Sequence, residues 1–131
     1  MIHHLSLGTN DLKRAKAFYD PVMKVLGMRL LSRDDKSLDY GTGMVVFSLE
    51  TPVDGKSASP GNGVHVAFTA EDPDMVDEFY RVALEHGGSD DGPPGLRPEY
   101  NAHYYGAFVR DPDGNKIEAV THSARHEEAS G

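Results

Sequence analysis

Two stretches decide the architecture: His4-Leu5-Ser6-Leu7 with Phe18-Tyr19 behind it, and His65-Val66-Ala67-Phe68 with Phe79-Tyr80 behind it. The differences 65 − 4, 72 − 11 and 79 − 18 all equal 61, so a His, an Asp and a Phe-Tyr pair recur at one shared offset. A gapless echo of this kind marks a supersecondary unit present twice. Each copy opens on alternation. Leu5 and Leu7 take one face with His4 and Ser6 on the other, and Val64, Val66 and Phe68 oppose His65, Ala67 and Thr69. Period-two patterning of this sort is a strand covered on one side only.

Working outward, Asp11 and Asp72 stand where a helix N-cap belongs. Leu12, Ala15, Phe18, Tyr19 and Val22 recur at helical spacing, as do Val76, Phe79, Tyr80 and Ala83. Gly27 and Gly87-Gly88 stop the two helices. Pro21 inside the first pattern predicts a kink or a restart at Asp20. Three strands follow the first helix, over 28–33, 36–41 and 44–50. In the second half, 89–101 reads as a Pro/Gly-rich loop, and 104–110 with 115–122 reads as a hairpin around Asp111-Pro112-Asp113-Gly114. The expected fold is α+β, with two tandem βαβββ modules whose sheets curl around a cavity. Module one spans 1–50, a linker 51–62, module two 63–122 and a polar, unstructured tail 123–131, all within one domain. Halves of this size are marginal alone, so a shared core is expected.

The bulk numbers restrict the function class. A net charge of −8 over 131 residues argues against a nucleic-acid or anionic-membrane partner. There is no cysteine, hence no disulfide and no thiol nucleophile, which suits a reducing cytoplasm. No run of about 18 apolar residues is present to span a membrane, and Met1-Ile2-His3-His4-Leu5 runs straight into a strand pattern without a basic leader.

Chemistry is sought on the polar faces. In Lys116-Ile117-Glu118-Ala119, Ile117 and Ala119 suit the helix side, which puts Glu118 on the same face as the histidines. If the sheets curl around one cavity, His4, His65 and Glu118 converge there. Two imidazoles and one carboxylate suit a divalent metal ion (Zn, Ni, Mn, Co or Fe) with positions left open for substrate. His3 is a rival to His4, but its side chain is expected on the helix side.

The paired modules, the opening Ile2-His3-His4-Leu5, the second Gly63-Val64-His65-Val66-Ala67-Phe68 and the closing Asp111-Pro112-Asp113-Gly114-Asn115-Lys116-Ile117-Glu118 resemble the vicinal oxygen chelate superfamily. That group contains glyoxalase I, bleomycin-resistance proteins, fosfomycin-resistance proteins and extradiol dioxygenases. The resemblance covers about residues 2–122 and implies a metal held by His4, His65 and Glu118, with Glu118 serving as a catalytic base. It also implies a homodimer, in which His4 meets His65 of its own chain or of a second copy. One departure stands out. Glyoxalase I enzymes carry a fourth ligand, usually glutamate, on the last strand of module one, and Ser48 occupies that place here.

The remaining residues of interest carry open alternatives. Glu50 lies one pleat from Ser48 and is either a cavity residue or a solvated strand end. Arg97 either grips an anionic group of the substrate or is an exposed loop arginine. His103, Tyr104 and Tyr105 either line the pocket or serve packing, and only one of the two tyrosines takes the ligand side because neighbours on a strand point oppositely. The implied function is a divalent-metal-dependent lyase, isomerase or dioxygenase acting on a small substrate with two adjacent oxygens. The alternative is a metal-free ligand-sequestering protein of the bleomycin-resistance type.

Overall fold

The computed structural model describes residues 1–123. Its elements are β1 (Leu5–Gly8), α1 (Leu12–Val25), β2 (Arg29–Arg33), β3 (Ser37–Gly41), β4 (Val45–Glu50), β5 (His65–Thr69), α2 (Pro73–Glu85), β6 (Ser89–Leu96), β7 (Tyr105–Arg110) and β8 (Lys116–Thr121). They form two four-stranded mixed sheets of identical topology, ordered β1-β4-β3-β2 and β5-β8-β7-β6. In each, the first strand runs parallel to the fourth and the other pairs are antiparallel. The expected curling of the sheets around one cavity is not seen among the described residues. Among the described residues the two sheets stay separate, with β1 and β5 each left as an edge strand.

The helices begin as the sequence predicts. The Asp11 carboxylate accepts a hydrogen bond from the Arg14 amide at 3.0 Å, and Asp72 does the same for Met75 at 2.9 Å. α1, however, runs unbroken through Pro21. Phe18 and Tyr19 before the proline and Val22 and Met23 after it are all fully buried, so packing on both sides overrides the local penalty. A second difference is β6, which occupies part of the expected loop. Pro93 and Pro94 lack amide hydrogens, but β6 is the outer strand of its sheet and its pairing with β7 is interrupted by register shifts around Gly92. Edge strands tolerate proline for this reason.

One core serves both modules. Tyr19 and Val22 from α1, Phe79 and Val76 from α2, Tyr40 and Phe47 from the first sheet, and Val109 and Ile117 from the second belong to a single buried cluster. The rings of Phe47 and Phe68 meet edge-on at 5.1 Å across the modules. Polar contacts add a second lock. Tyr19 donates its hydroxyl to Asp111 at 2.6 Å, Asn115 donates to the Gly8 carbonyl at 3.0 Å, and Arg14 pairs with Asp113 at 2.6 Å. The β7–β8 turn therefore clamps the β1–α1 junction. Burial, followed by the charge and hydrogen bond of Asp111, pushes the Tyr19 hydroxyl well above its ordinary pKa. Burial likewise raises Asp111, against the lowering effect of its four donors.

No helix among the described residues is long and apolar enough to cross a membrane. The expected unstructured tail lies outside the described residues except for Ser123, whose hydroxyl donates to the Glu71 carbonyl at 3.0 Å.

Candidate functional site

Strand alternation sets the site. Ile117 and Ala119 are fully buried on the helix side of β8, so Glu118 projects from the opposite face. The ladders place it between Ala67 of β5 and Phe108 of β7. The first sheet repeats this row as Ser6, Ser48 and Asp39. Since Ser6 and Ala67 are 61 residues apart (67 − 6), the register itself equates Ser48 with Glu118.

Glu118 is only 1% exposed although it lies on the outer face of its sheet. Three neighbours produce that burial. His65 places Nε2 3.0 Å from Oε1, Tyr104 donates its hydroxyl to Oε2, and Gly106 sits against the same oxygen. A Cβ at position 106 would lie 3.0 Å from Oε2, a close contact that would press the carboxylate aside by a few tenths of an ångström. Burial first, then the hydrogen bond to Glu118 and its charge, raise the Tyr104 hydroxyl far above its usual range. Tyr104 therefore stays a donor at neutral pH. The side chain of His65 is 44% exposed, so the pair is reached from solvent through the imidazole.

Tyr104 and Tyr105 separate as neighbours on a strand must. Tyr105 turns to the helix side and donates to Asp77 of α2 at 2.7 Å; burial leads the causes that push it up to about 12. Its hydroxyl thus lies on the other side of the sheet from Glu118. Arg97 lies near that face, with its guanidinium 5.6 Å from the Phe108 ring centre and donating to the Pro93 carbonyl at 2.6 Å. His103 stands in the turn before β7, where its amide donates to the Asn101 side chain at 2.8 Å.

His4 is not brought to this pair within one chain. It precedes β1 in an exposed position, and its Nδ1 lies 2.8 Å from Nδ1 of His3. Among the described residues no group of three His, Asp or Glu side chains is placed to hold a metal ion. Of the two arrangements left open, a meeting of His4 with His65 of its own chain is not what the described residues show, since β1 and β5 head separate sheets. His3 is also exposed rather than turned to the core.

Ser48 and Glu50 belong to the first sheet. Ser48 is 3% exposed and donates to Asp39 Oδ1 at 2.7 Å, while Ser32 donates to Oδ2 at 2.7 Å. Glu50 accepts from Ser6 at 2.6 Å. Asp39 was missed by sequence reasoning, yet its signal was present. Leu38 and Tyr40 are core residues of β3, so Asp39 between them must face outward beside Ser48. His122 is exposed, and its ring lies 5.2 Å from that of Tyr104.

An imidazole nitrogen and a carboxylate oxygen are donor types that a divalent ion takes, and His65 Nε2 and Glu118 Oε1 lie side by side at 3.0 Å, at hydrogen-bond distance. Tyr104 holds the other carboxylate oxygen, the outer contact that commonly orients a ligating carboxylate.

Comparison with known proteins now gives the family. The model of the glyoxalase/bleomycin resistance protein/dioxygenase superfamily matches residues 1–119. The chain belongs to that superfamily. Among solved structures, this glyoxalase-family protein is similar to a glyoxalase/bleomycin resistance protein from Albidiferax ferrireducens T118, with 36% identity, 89% of this chain and 95% of that chain covered, and a TM-score of 0.84. A lactoylglutathione lyase from Agrobacterium tumefaciens shares the fold at 24% identity, with 92% of each chain covered and a TM-score of 0.66. A glyoxalase I mutant from Zea mays is 27% identical over 95% of this chain and 47% of that chain, with a TM-score of 0.71. The comparison with curated proteins gives no match.

Proposed function

We propose that this glyoxalase-family protein is a divalent-metal-dependent enzyme of the lyase, isomerase or dioxygenase type, acting on a small substrate with two adjacent oxygens. The observation that carries the reading is the buried Glu118 carboxylate with His65 Nε2 at 3.0 Å. A carboxylate removed from water needs a charged or strongly donating partner, and no Lys or Arg bonds to Glu118 among the described residues. His65 and Glu118 of one subunit would hold the ion, and His4 of a second copy would complete the set. A metal bound there supplies Lewis acidity to a developing oxyanion.

The chain's own residues supply the rest. Tyr104 fixes Oε2 of Glu118 and keeps the carboxylate aimed at His65. Glu118 is the proton acceptor of this face, and Tyr104, held protonated, is its donor. Phe108 beside His65, with ring centres 6.1 Å apart, gives the face an apolar floor. Ser48 in place of a second glutamate removes one base from the glyoxalase I pattern, which favours a reaction with a single proton-transfer group.

A second reading has its own support. His65 and Tyr104 already satisfy both oxygens of Glu118, as a metal-free ligand-sequestering protein would require. Metal analysis separates the two readings. The metalloenzyme reading expects Zn, Ni, Mn, Co or Fe in the purified protein and at least tenfold weaker binding in His65→Ala. Absence of metal together with equal weak binding in both proteins would establish the sequestering reading instead.

A further inference from the structure

Beside the His65–Glu118 pair the chain gathers positive charge that the proposed metal site does not use. His65, Lys116 and Arg110 form one row across β5, β8 and β7. All three line a pocket of about 500 Å³ whose other wall is the Gly61-Asn62-Gly63-Val64 turn leading into β5. Lys116 Nζ and Arg110 Nε converge on a single oxygen, Oδ2 of Asp91, at 3.5 and 3.1 Å. Two cations therefore share one carboxylate, an excess of one positive charge among these three side chains in a protein whose overall charge is −8, while the Glu118 carboxylate stands on the far side of His65. The three side chains remain partly open to solvent, at 39% for Arg110, 33% for Lys116 and 30% for Asp91. Arg110 is braced by donation to the Gly114 carbonyl at 3.0 Å, and Lys116 lies 5.1 Å over the Phe108 ring. Both cations are thus held in position before a ligand arrives, which lowers the ordering cost of binding.

We propose that this pocket is an oxyanion subsite: Lys116 and Arg110 hold a carboxylate or phosphate group of the substrate while its reacting end lies at His65 and Glu118. Asp91 stands in for the anion and is displaced from the cations on binding. The proposal deepens the metalloenzyme reading by naming the substrate class, small anionic molecules, and rests on that reading for what happens at the reacting end. Charge-assisted contacts to both cations supply the selectivity, with the Arg110 fork suited to a planar or tetrahedral oxyanion.

The test is titration of the full chain, stripped of metal with chelator, with inorganic phosphate and with malonate, followed by calorimetry or amide shifts. Wild type should bind at least one of the two. Asp91→Asn removes the competing carboxylate and should tighten binding about fivefold, while Lys116→Met should weaken it about fivefold. Preference for malonate assigns a carboxylate substrate, and preference for phosphate a phosphorylated one. No binding to wild type or Asp91→Asn, or equal affinities in Lys116→Met and wild type, overturns the subsite and marks the three residues as a surface ion cluster. Metal affinity measured on the same proteins keeps the two proposals apart. Anion binding without metal binding defeats the metalloenzyme reading alone, and metal binding without anion binding defeats the subsite alone.

Discussion

Tyr104 and Gly106 decide where the Glu118 carboxylate points. The phenol donates to Oε2, and the missing side chain at 106 leaves that oxygen its room. Partners that orient a ligating carboxylate are commonly worth 10- to 100-fold in metal affinity. Tyr104→Phe should therefore weaken divalent-metal binding about tenfold, read by calorimetric titration. Gly106→Ala should also weaken it, because the new Cβ meets Oε2 at 3.0 Å and presses the carboxylate aside by a few tenths of an ångström. Tyr105→Phe, whose hydroxyl serves Asp77 on the other side of the sheet, should leave metal affinity unchanged. Equal losses from the two tyrosine variants would contradict the assignment of faces.

At the scale of elements, α1 carries an internal proline without breaking. The buried residues on both sides hold the helix together, so the proline's cost is present but outweighed. Pro21→Ala should restore the missing amide donor and stabilise the protein by about 1 kcal/mol or more in urea unfolding, net of the entropy that proline removes from the unfolded chain. A loss of stability would mean that the helix bends at Pro21 for a packing reason. What was legible in the sequence follows the same division. Alternation in β1, β5 and β8 assigned faces to Ser6, His65 and Glu118, and matching Val46-Phe47-Ser48-Leu49 to Lys116-Ile117-Glu118-Ala119, the last strand of each module, set Ser48 opposite Glu118 before any ladder was known. β6 was hidden because Pro93 and Pro94 read as loop, and only its outer position in the sheet explains why they are tolerated. Arg110, Lys116 and Asp91 were illegible as a group, since their meeting depends on the register between β7 and β8 and on the approach of β6. Whether His4 meets His65 within one chain stayed open in the sequence for a similar reason, because alternation fixes the face of a strand and not the sheet it joins.

For the whole molecule, pH stability depends on tyrosines held neutral in the fold. The hydroxyls of Tyr19, Tyr40 and Tyr104 are raised, each with burial as the leading cause, and Tyr105 is pushed to about 12. A group raised in the folded state contributes stability that is complete below its unfolded value, near 10, and is lost as pH climbs toward the folded value. Stability should hold to about pH 9 and then fall, by about 1.4 kcal/mol per pH unit for Tyr19 alone. Absorbance titration of phenolate should show most of the six tyrosines ionising only as the chain unfolds. Ionisation of all six near pH 10 with the fold intact would contradict the Tyr19–Asp111 lock between the modules.

On the metalloenzyme reading proposed above, His4 before β1 and His65 on β5 lie at edge strands of separate sheets, so a site that draws on both needs two copies of the chain. The most direct test mixes subunits. His4→Ala and His65→Ala proteins, each deficient in metal binding, are unfolded together, refolded and titrated with zinc. A site shared between copies predicts that mixing restores one tight site per mixed dimer, built from His65 and Glu118 of one subunit and His4 of the other. If mixing restores no tight site, the two-subunit metal centre is contradicted.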